Sequence, residues 1–155
     1  MGWLPTDSNP YRYEQAICIF CSGTNEHHIK VLIDNCTFLN HFASNVTASN
    51  YCDIIIKNSR SINCFKGICT VVGGDGNLII ENCQCESDYD FTAFWQEVNS
   101  TASPDRININ INNCTFNGDL SVITSQYTIL NVSNTYVRGK ESLLAPKTNS
   151  VIKVN

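Results

Sequence analysis

Charge is scarce in this chain. Asp, Glu, Lys and Arg supply only 15% of its 155 residues, where soluble domains usually carry about a quarter. Ten basic residues stand against fourteen acidic ones and form no cluster, which excludes the basic footprint of a nucleic-acid binder. No apolar run approaches the roughly 18 residues of a membrane span. Met1-Gly2-Trp3-Leu4-Pro5 lacks the basic and apolar regions of a secretion signal, so none is expected. Disorder is excluded by the opposite imbalance: it needs few apolar residues and many charges, whereas 43% of this chain is hydrophobic. That suffices for one core in one domain of this size.

What is abundant is asparagine and isoleucine, 20 and 17 residues respectively, against one Met and four Pro. Ile favours strands, while Asn is depleted in strands and enriched in turns. A chain rich in both reads as short strands joined by many turns, and not as a helical protein.

The two excesses are organised. Val31-Leu32-Ile33-Asp34-Asn35-Cys36-Thr37-Phe38, Ile54-Ile55-Ile56-Lys57-Asn58-Ser59, Leu78-Ile79-Ile80-Glu81-Asn82-Cys83-Gln84-Cys85 and Ile109-Asn110-Ile111-Asn112-Asn113-Cys114-Thr115-Phe116 align without gaps. A weaker fifth copy is Leu130-Asn131-Val132-Ser133-Asn134-Thr135-Tyr136-Val137. The shared Asn stands at 35, 58, 82, 113 and 134, in steps of 23, 24, 31 and 21 residues. Ile152-Lys153-Val154 continues the series, and Ile17-Cys18-Ile19 is a candidate first member.

Positions −4 and −2 from the Asn are Ile, Val or Leu, and position −1 is polar, so one strand face is buried and the other wet. The Asn stands where the chain must turn, and it tolerates the left-handed conformation such turns often need. Cys, Ser or Thr follows, and a second apolar cluster comes in most periods: Ile68 to Val72, Phe91 to Val98, Leu120 to Ile123, Leu143-Leu144. Strands repeated in one phase are what a parallel solenoid requires, with equivalent residues stacked about 4.8 Å apart and inward Asn amides bonding along the stack. An antiparallel sandwich offers no reason for one residue type to recur at each turn.

On these residues the chain resembles the right-handed parallel β-helix of the pectate-lyase-like superfamily, over roughly residues 16–155. The expected fold is all-β: a right-handed parallel β-helix (solenoid) of about six coils of about 22 residues. Residues 1–15, with Trp3, Pro5, Pro10, Tyr11 and Tyr13, are expected to form an N-terminal cap. The long 31-residue step places a loop insertion around 86–106.

Nine cysteines and no secretion signal favour reduced, buried thiols made in a reducing cytoplasm. Cys36, Cys83 and Cys114 share one repeat position with Ser59 and Thr135; Cys83 and Cys114, on adjacent coils, are within disulfide reach. Cys18-x-x-Cys21 with His27-His28 suggests a metal, but Cys18 and Cys21 point to opposite faces of a strand, so no metal is expected, and no cofactor. N-x-Ser/Thr sequons occur at Asn35, Asn45, Asn99, Asn113 and Asn131. Asn35 and Asn113 are turn residues placed inward, where a glycan does not fit, so composition accounts for the motif.

Enzymes of the resembled superfamily act on polysaccharides, by calcium-assisted elimination or by hydrolysis with paired carboxylates. The resemblance implies, for hydrolases, Asn-Thr-Asp, Asp-Asp, Gly-His-Gly and Arg-Ile-Lys strings, and none occurs here. Both His27 and His28 fall near the first coil, away from any candidate acid pair. No catalytic residue is therefore assigned. Gly73-Gly74-Asp75-Gly76 reads as a tight turn into the Leu78 strand and not as a phosphate loop, since no helix follows. The insertion is the candidate binding site: Tyr89 and Trp95 offer rings for sugars, and Asp88, Asp90 and Glu97 offer carboxylates for hydroxyls, with a local core cap as the competing role. The chain ends in strand-like Ser150 to Asn155, which calls for a longer chain or a covering subunit. The expected function is a structural or receptor-binding β-helix of a virus or phage spike, fibre or similar surface assembly, homo-oligomeric (a trimer) and carrying glycan as its partner. A polysaccharide lyase or hydrolase fragment and a non-catalytic carbohydrate-binding module are the alternatives.

Overall fold

A computed structural model describes residues 17–19, 24, 26–39, 46–48, 51–64, 69–71, 76–86, 92–94, 107–117, 119–123, 128–138, 142–145 and 151–155. Among them every regular element is a strand: β1 (Ile17–Ile19), β2 (Ile29–Asp34), β3 (Thr37–Leu39), β4 (Val46–Ala48), β5 (Cys52–Lys57), β6 (Arg60–Ile62), β7 (Cys69–Val71), β8 (Gly76–Glu81) and β9 (Gln84–Glu86). The second half continues with β10 (Thr92–Phe94), β11 (Ile107–Asn112), β12 (Thr115–Asn117), β13 (Asp119–Ile123), β14 (Thr128–Ser133), β15 (Tyr136–Arg138), β16 (Ser142–Ala145) and β17 (Val151–Val154).

Every third strand shares a sheet. The longest sheet has six strands in the order β17-β14-β11-β8-β5-β2, and the next has five, β15-β12-β9-β6-β3. Two three-stranded sheets, β1-β4-β7 and β10-β13-β16, contain the second apolar clusters. All pairings between these strands are parallel. Parallel neighbours need long connections, and the steps of 21 to 31 residues supply them. The arrangement is compatible with a parallel β-helix.

The register follows the repeat. Ile33 pairs with Ile56, Ile56 with Ile80, Ile80 with Ile111 and Ile111 with Val132. Two positions earlier, Val31, Ile54, Leu78, Ile109 and Leu130 form the same kind of row. All but the partly buried Val31 are buried, with Phe38, Cys85 and Phe116 closing the core from the five-stranded sheet. Truncating a buried Ile to Ala in such a row costs about 2–5 kcal/mol. Gly76 opens β8 because a side chain there would overlap the Cys52 carbonyl. Ile152 to Val154 join the sheet through β14, as the pattern predicts. Ile17 to Ile19 do not: β1 pairs with β4, in another sheet. Those three residues carry strand alternation without the turn Asn, and alternation alone does not say which row a strand joins.

Each turn Asn takes positive φ: 55° at Asn35, 51° at Asn58, 53° at Asn82, 52° at Asn113 and 47° at Asn134. Positions −2 and +1 point inward, while −1 and the Asn itself both point out. Two successive outward residues break the strict alternation of a strand, so the core continues round the corner. The inward placement of these Asn is thereby corrected: all five are exposed. Burial therefore gives no reason to exclude a glycan at Asn35 or Asn113. The amide ladder does exist, but on the surface, with Asn113 donating to Asn82 at 2.8 Å, Asn82 to Asn58 at 3.2 Å and Asn58 to Asp34 at 2.8 Å. Asn134 steps sideways and donates to Asn112 at 3.1 Å.

The next residue shows why Cys, Ser and Thr interchange. Each donates back to the carbonyl two residues earlier: Cys83 Sγ to Glu81, Cys114 Sγ to Asn112, Ser59 Oγ to Lys57 and Thr135 Oγ1 to Ser133. A small side chain with one donor is what the corner requires.

Asn82→Ala is expected to cost about 1–2 kcal/mol, the usual burden of a left-handed residue with a Cβ and no local hydrogen bond. Asn82→Gly keeps the backbone and loses only the amide rungs, so its urea midpoint should lie between wild type and Ala. Equal losses in the two variants would remove the left-handed corner as the cause.

Candidate functional site

The residues singled out for binding, Asp88, Tyr89, Asp90, Trp95 and Glu97, lie outside the described residues. So do the 1–15 cap and most of 86–106; of the insertion, β10 is placed, paired with β13. The described side chains form a different site, on the outer face of the six-stranded sheet.

Parallel sheets are usually covered on both faces, but here alternation leaves one face outward, in three rows. The first row runs Lys30, Asp53, Asn77, Asn108, Ile129, Val151; the second Leu32, Ile55, Ile79, Asn110, Asn131, Lys153; the third Asp34, Lys57, Glu81, Asn112, Ser133. Lys30, Leu32, Asp53, Ile55, Asn77 and Ile79 line a depression of about 350 Å³.

A chain of polar contacts crosses the first row. Asn108 donates to Asn77 at 3.1 Å, Asn77 donates to Asp53 at 2.7 Å, and His28 Nδ1 lies 3.2 Å from the same Asp53 oxygen. Beside His28 stands the Tyr51 ring, 5.9 Å away and tilted by 56°. Tyr51 has φ of 57°, a left-handed conformation that is costly for a bulky residue. Its carbonyl accepts the Ile29 N–H at 3.0 Å, which anchors the start of β2. Partial burial pushes the Asp53 carboxyl up, but hydrogen bonds from Asn77 and His28 outweigh it and hold the group below its ordinary range. In the third row the Asn58 amide and the Lys57 ammonium, 3.3 Å away, outweigh slight desolvation and lower Asp34.

The depression thus offers an aliphatic floor, one cation and one carboxylate fixed in its ionised form. It can hold a ligand with an apolar face and a polar rim. Among the described residues no group of three or more His, Cys, Asp and Glu is placed to hold a metal; Cys18 and Cys21 have no described side chains.

The His28–Asp53 contact is absent from the sequence reading, which set both histidines apart from any acid pair. The alignment of Ile54 with Val31 already put Asp53 beside Lys30, so extending that register two residues back would have brought His28 near Asp53. The side-chain turn that closes the contact has no sequence signature.

The cysteines divide. Cys36, Cys64, Cys83, Cys85 and Cys114 are free, and all but Cys36 are buried. Cys114 is hydrogen-bonded to Cys83, and that bond with burial pushes its thiol up; burial pushes Cys85 well up too. These groups stay protonated, which suits packing and not nucleophilic attack. Cys52 departs from the reduced majority: it is held in a disulfide.

Comparison with protein-family models, with curated proteins and with solved structures finds no match.

Two outcomes are expected. The folded value of Asp53 is depressed, so its contribution is present above the ordinary value of 3.8 and lost as pH falls through the folded one. The gap in urea midpoint between wild type and Asp53→Asn should shrink as pH falls below about 4; a gap that widens there reverses the sign. Thiol titration of the denatured, unreduced protein should find at least the five free thiols, and at most seven, since the Cys52 bridge removes two of nine. A count of nine would show that no bridge forms.

Proposed function

We propose that the chain is a right-handed parallel β-helix of about six coils, of the kind found in the pectate-lyase-like superfamily, working as a structural and receptor-binding element of a surface assembly. A virus or phage spike or fibre is the setting that fits best, at the virion or cell surface, homo-oligomeric with the trimer as its simplest form, and with carbohydrate as the external partner.

One observation carries this reading: most of the outward Asn and Asp side chains described are hydrogen-bonded to one another along the stack. Asn131 donates to Asn110 at 2.8 Å and Ser133 to Asn112 at 3.0 Å, alongside the amide ladders at the turn and in the first row. Lys57 is paired with Asp34, and Asp53 is held by His28 and Asn77. Such a face is rigid and ordered along the stack, which suits holding position. Hydrolysis of a glycosidic bond instead needs two carboxyls free to flank it, one protonated and one not.

The test is a glycan array run with assays for new reducing ends and unsaturated uronates, together with the mass in solution. No turnover and an assembly of three or more copies are expected. Turnover lost in Asp88→Asn or Asp90→Asn would establish an enzyme instead. Glycan binding by a monomer, abolished in Trp95→Ala, would make it a binding module.

A further inference from the structure

We propose that the outer face of the six-stranded sheet docks on the same face of a second copy, across a two-fold axis parallel to the direction in which the strands stack. The middle outward row begins with three adjacent aliphatic residues, Leu32, Ile55 and Ile79, on neighbouring strands. Leu32 is 61% and Ile55 37% exposed, and with Ile79 they floor the depression. The same row continues as Asn110, Asn131 and Lys153, so this face presents polar residues on its later strands and aliphatic ones on β2, β5 and β8, where a rod standing alone gains nothing from them. Contiguous exposed apolar surface of this kind marks a contact site.

Charge identifies the occupant. On each strand the two outward residues flanking the middle row are complementary or neutral: Lys30 and Asp34 on β2, Asp53 and Lys57 on β5, Asn77 and Glu81 on β8, Asn108 and Asn112 on β11. A two-fold along the stack reverses strand direction while keeping each strand opposite its own copy. Lys30 then faces the second copy's Asp34, Asp53 faces Lys57, and each aliphatic rung meets itself. No like charges meet between β2 and β11. Lys153 meets itself, but on β17, the far edge strand, where sheet twist carries the faces apart. A two-fold running along β5 instead sets Asp53 on Asp53, Lys57 on Lys57 and Asp34 on Glu81, which the charges oppose. One running between β2 and β5 matches charge but leaves Ile79 uncovered. A self-complementary patch is the signature of an isologous contact.

The size is sufficient for a weak dimer. Five strands, β2 to β14, about 4.8 Å apart and each presenting about five residues at about 3.3 Å, give a footprint near 400 Å² per copy. The total of about 800 Å² falls in the range of weak, transient contacts, so pairing should depend on concentration. The contact goes beyond the functional proposal, since it needs neither glycan nor virion.

Mass by sedimentation equilibrium, from about 1 μM to about 1 mM, decides. Wild type should reach an even number of copies, and Ile55→Lys should halve that mass while keeping its far-ultraviolet signal. Ile79→Asn, which extends the amide row from Asn110, is the second variant should Ile55→Lys fail to fold, and it should also halve the mass. Tyr136→Lys, at an exposed position of the five-stranded sheet, should leave it unchanged. A wild-type monomer or odd-numbered assembly at every concentration overturns the proposal. So does an even assembly whose mass neither folded variant lowers. Pairing without glycan binding or higher assembly would sink the functional reading and leave this contact standing.

Discussion

The structure depends on one residue per corner holding a left-handed backbone. Asn35, Asn58, Asn82, Asn113 and Asn134 each do so within a few degrees of one another, and that equality lets one turn stack on the next. The hydrogen bonds run through the corner without a gap. The Asn82 N–H reaches the Asn112 carbonyl at 3.2 Å, and two residues later the Gln84 N–H reaches Ser59 on the other neighbour at 3.0 Å. The six- and five-stranded sheets are therefore one continuous hydrogen-bonded surface bent at Asn. An L-residue without a short polar side chain resists that bend, and a proline would remove one of the donors.

From the corner follows the division of the surface. Because −1 and the Asn both face outward, a strip of polar side chains runs along the bend, and in-register stacking places each beside its own kind. Amides are neutral and both donate and accept, so they bond along a ladder without accumulating charge. That accounts for the low charge content as well as for the Asn excess. Where aliphatic residues replace amides, on β2, β5 and β8, the ladder gives way to bare apolar surface, and that surface sits beside the fixed Asp53 carboxylate. The part of the molecule least suited to standing alone is also the part with the most varied chemistry.

The period-2 pattern and the gapless repeat made the strands, their parallel stacking in one row and the left-handed corner legible before any coordinates. These depend on local residue preference and on equivalent positions meeting at one spacing. The interchange of Cys, Ser and Thr after each Asn was visible as a pattern, and the carbonyl each one caps is its reason. The outward direction of Asn82 and its equivalents was not legible, because a single left-handed residue reverses the alternation on which inward and outward were counted. Nor was the sheet to which Ile17 to Ile19 belong.

What the sequence determined on its own is therefore the row: which residues recur, at what phase, and which of their faces is apolar, since these are properties of neighbours along the chain. The tertiary structure decided what lies across the rows. It set His28 against Asp53, 25 residues apart, tied Cys52 into a disulfide while leaving Cys83 and Cys114 as thiols, and gathered Leu32, Ile55 and Ile79 into one outward strip. Such contacts depend on side-chain direction and on the depth of each corner, and no spacing along the chain encodes either one.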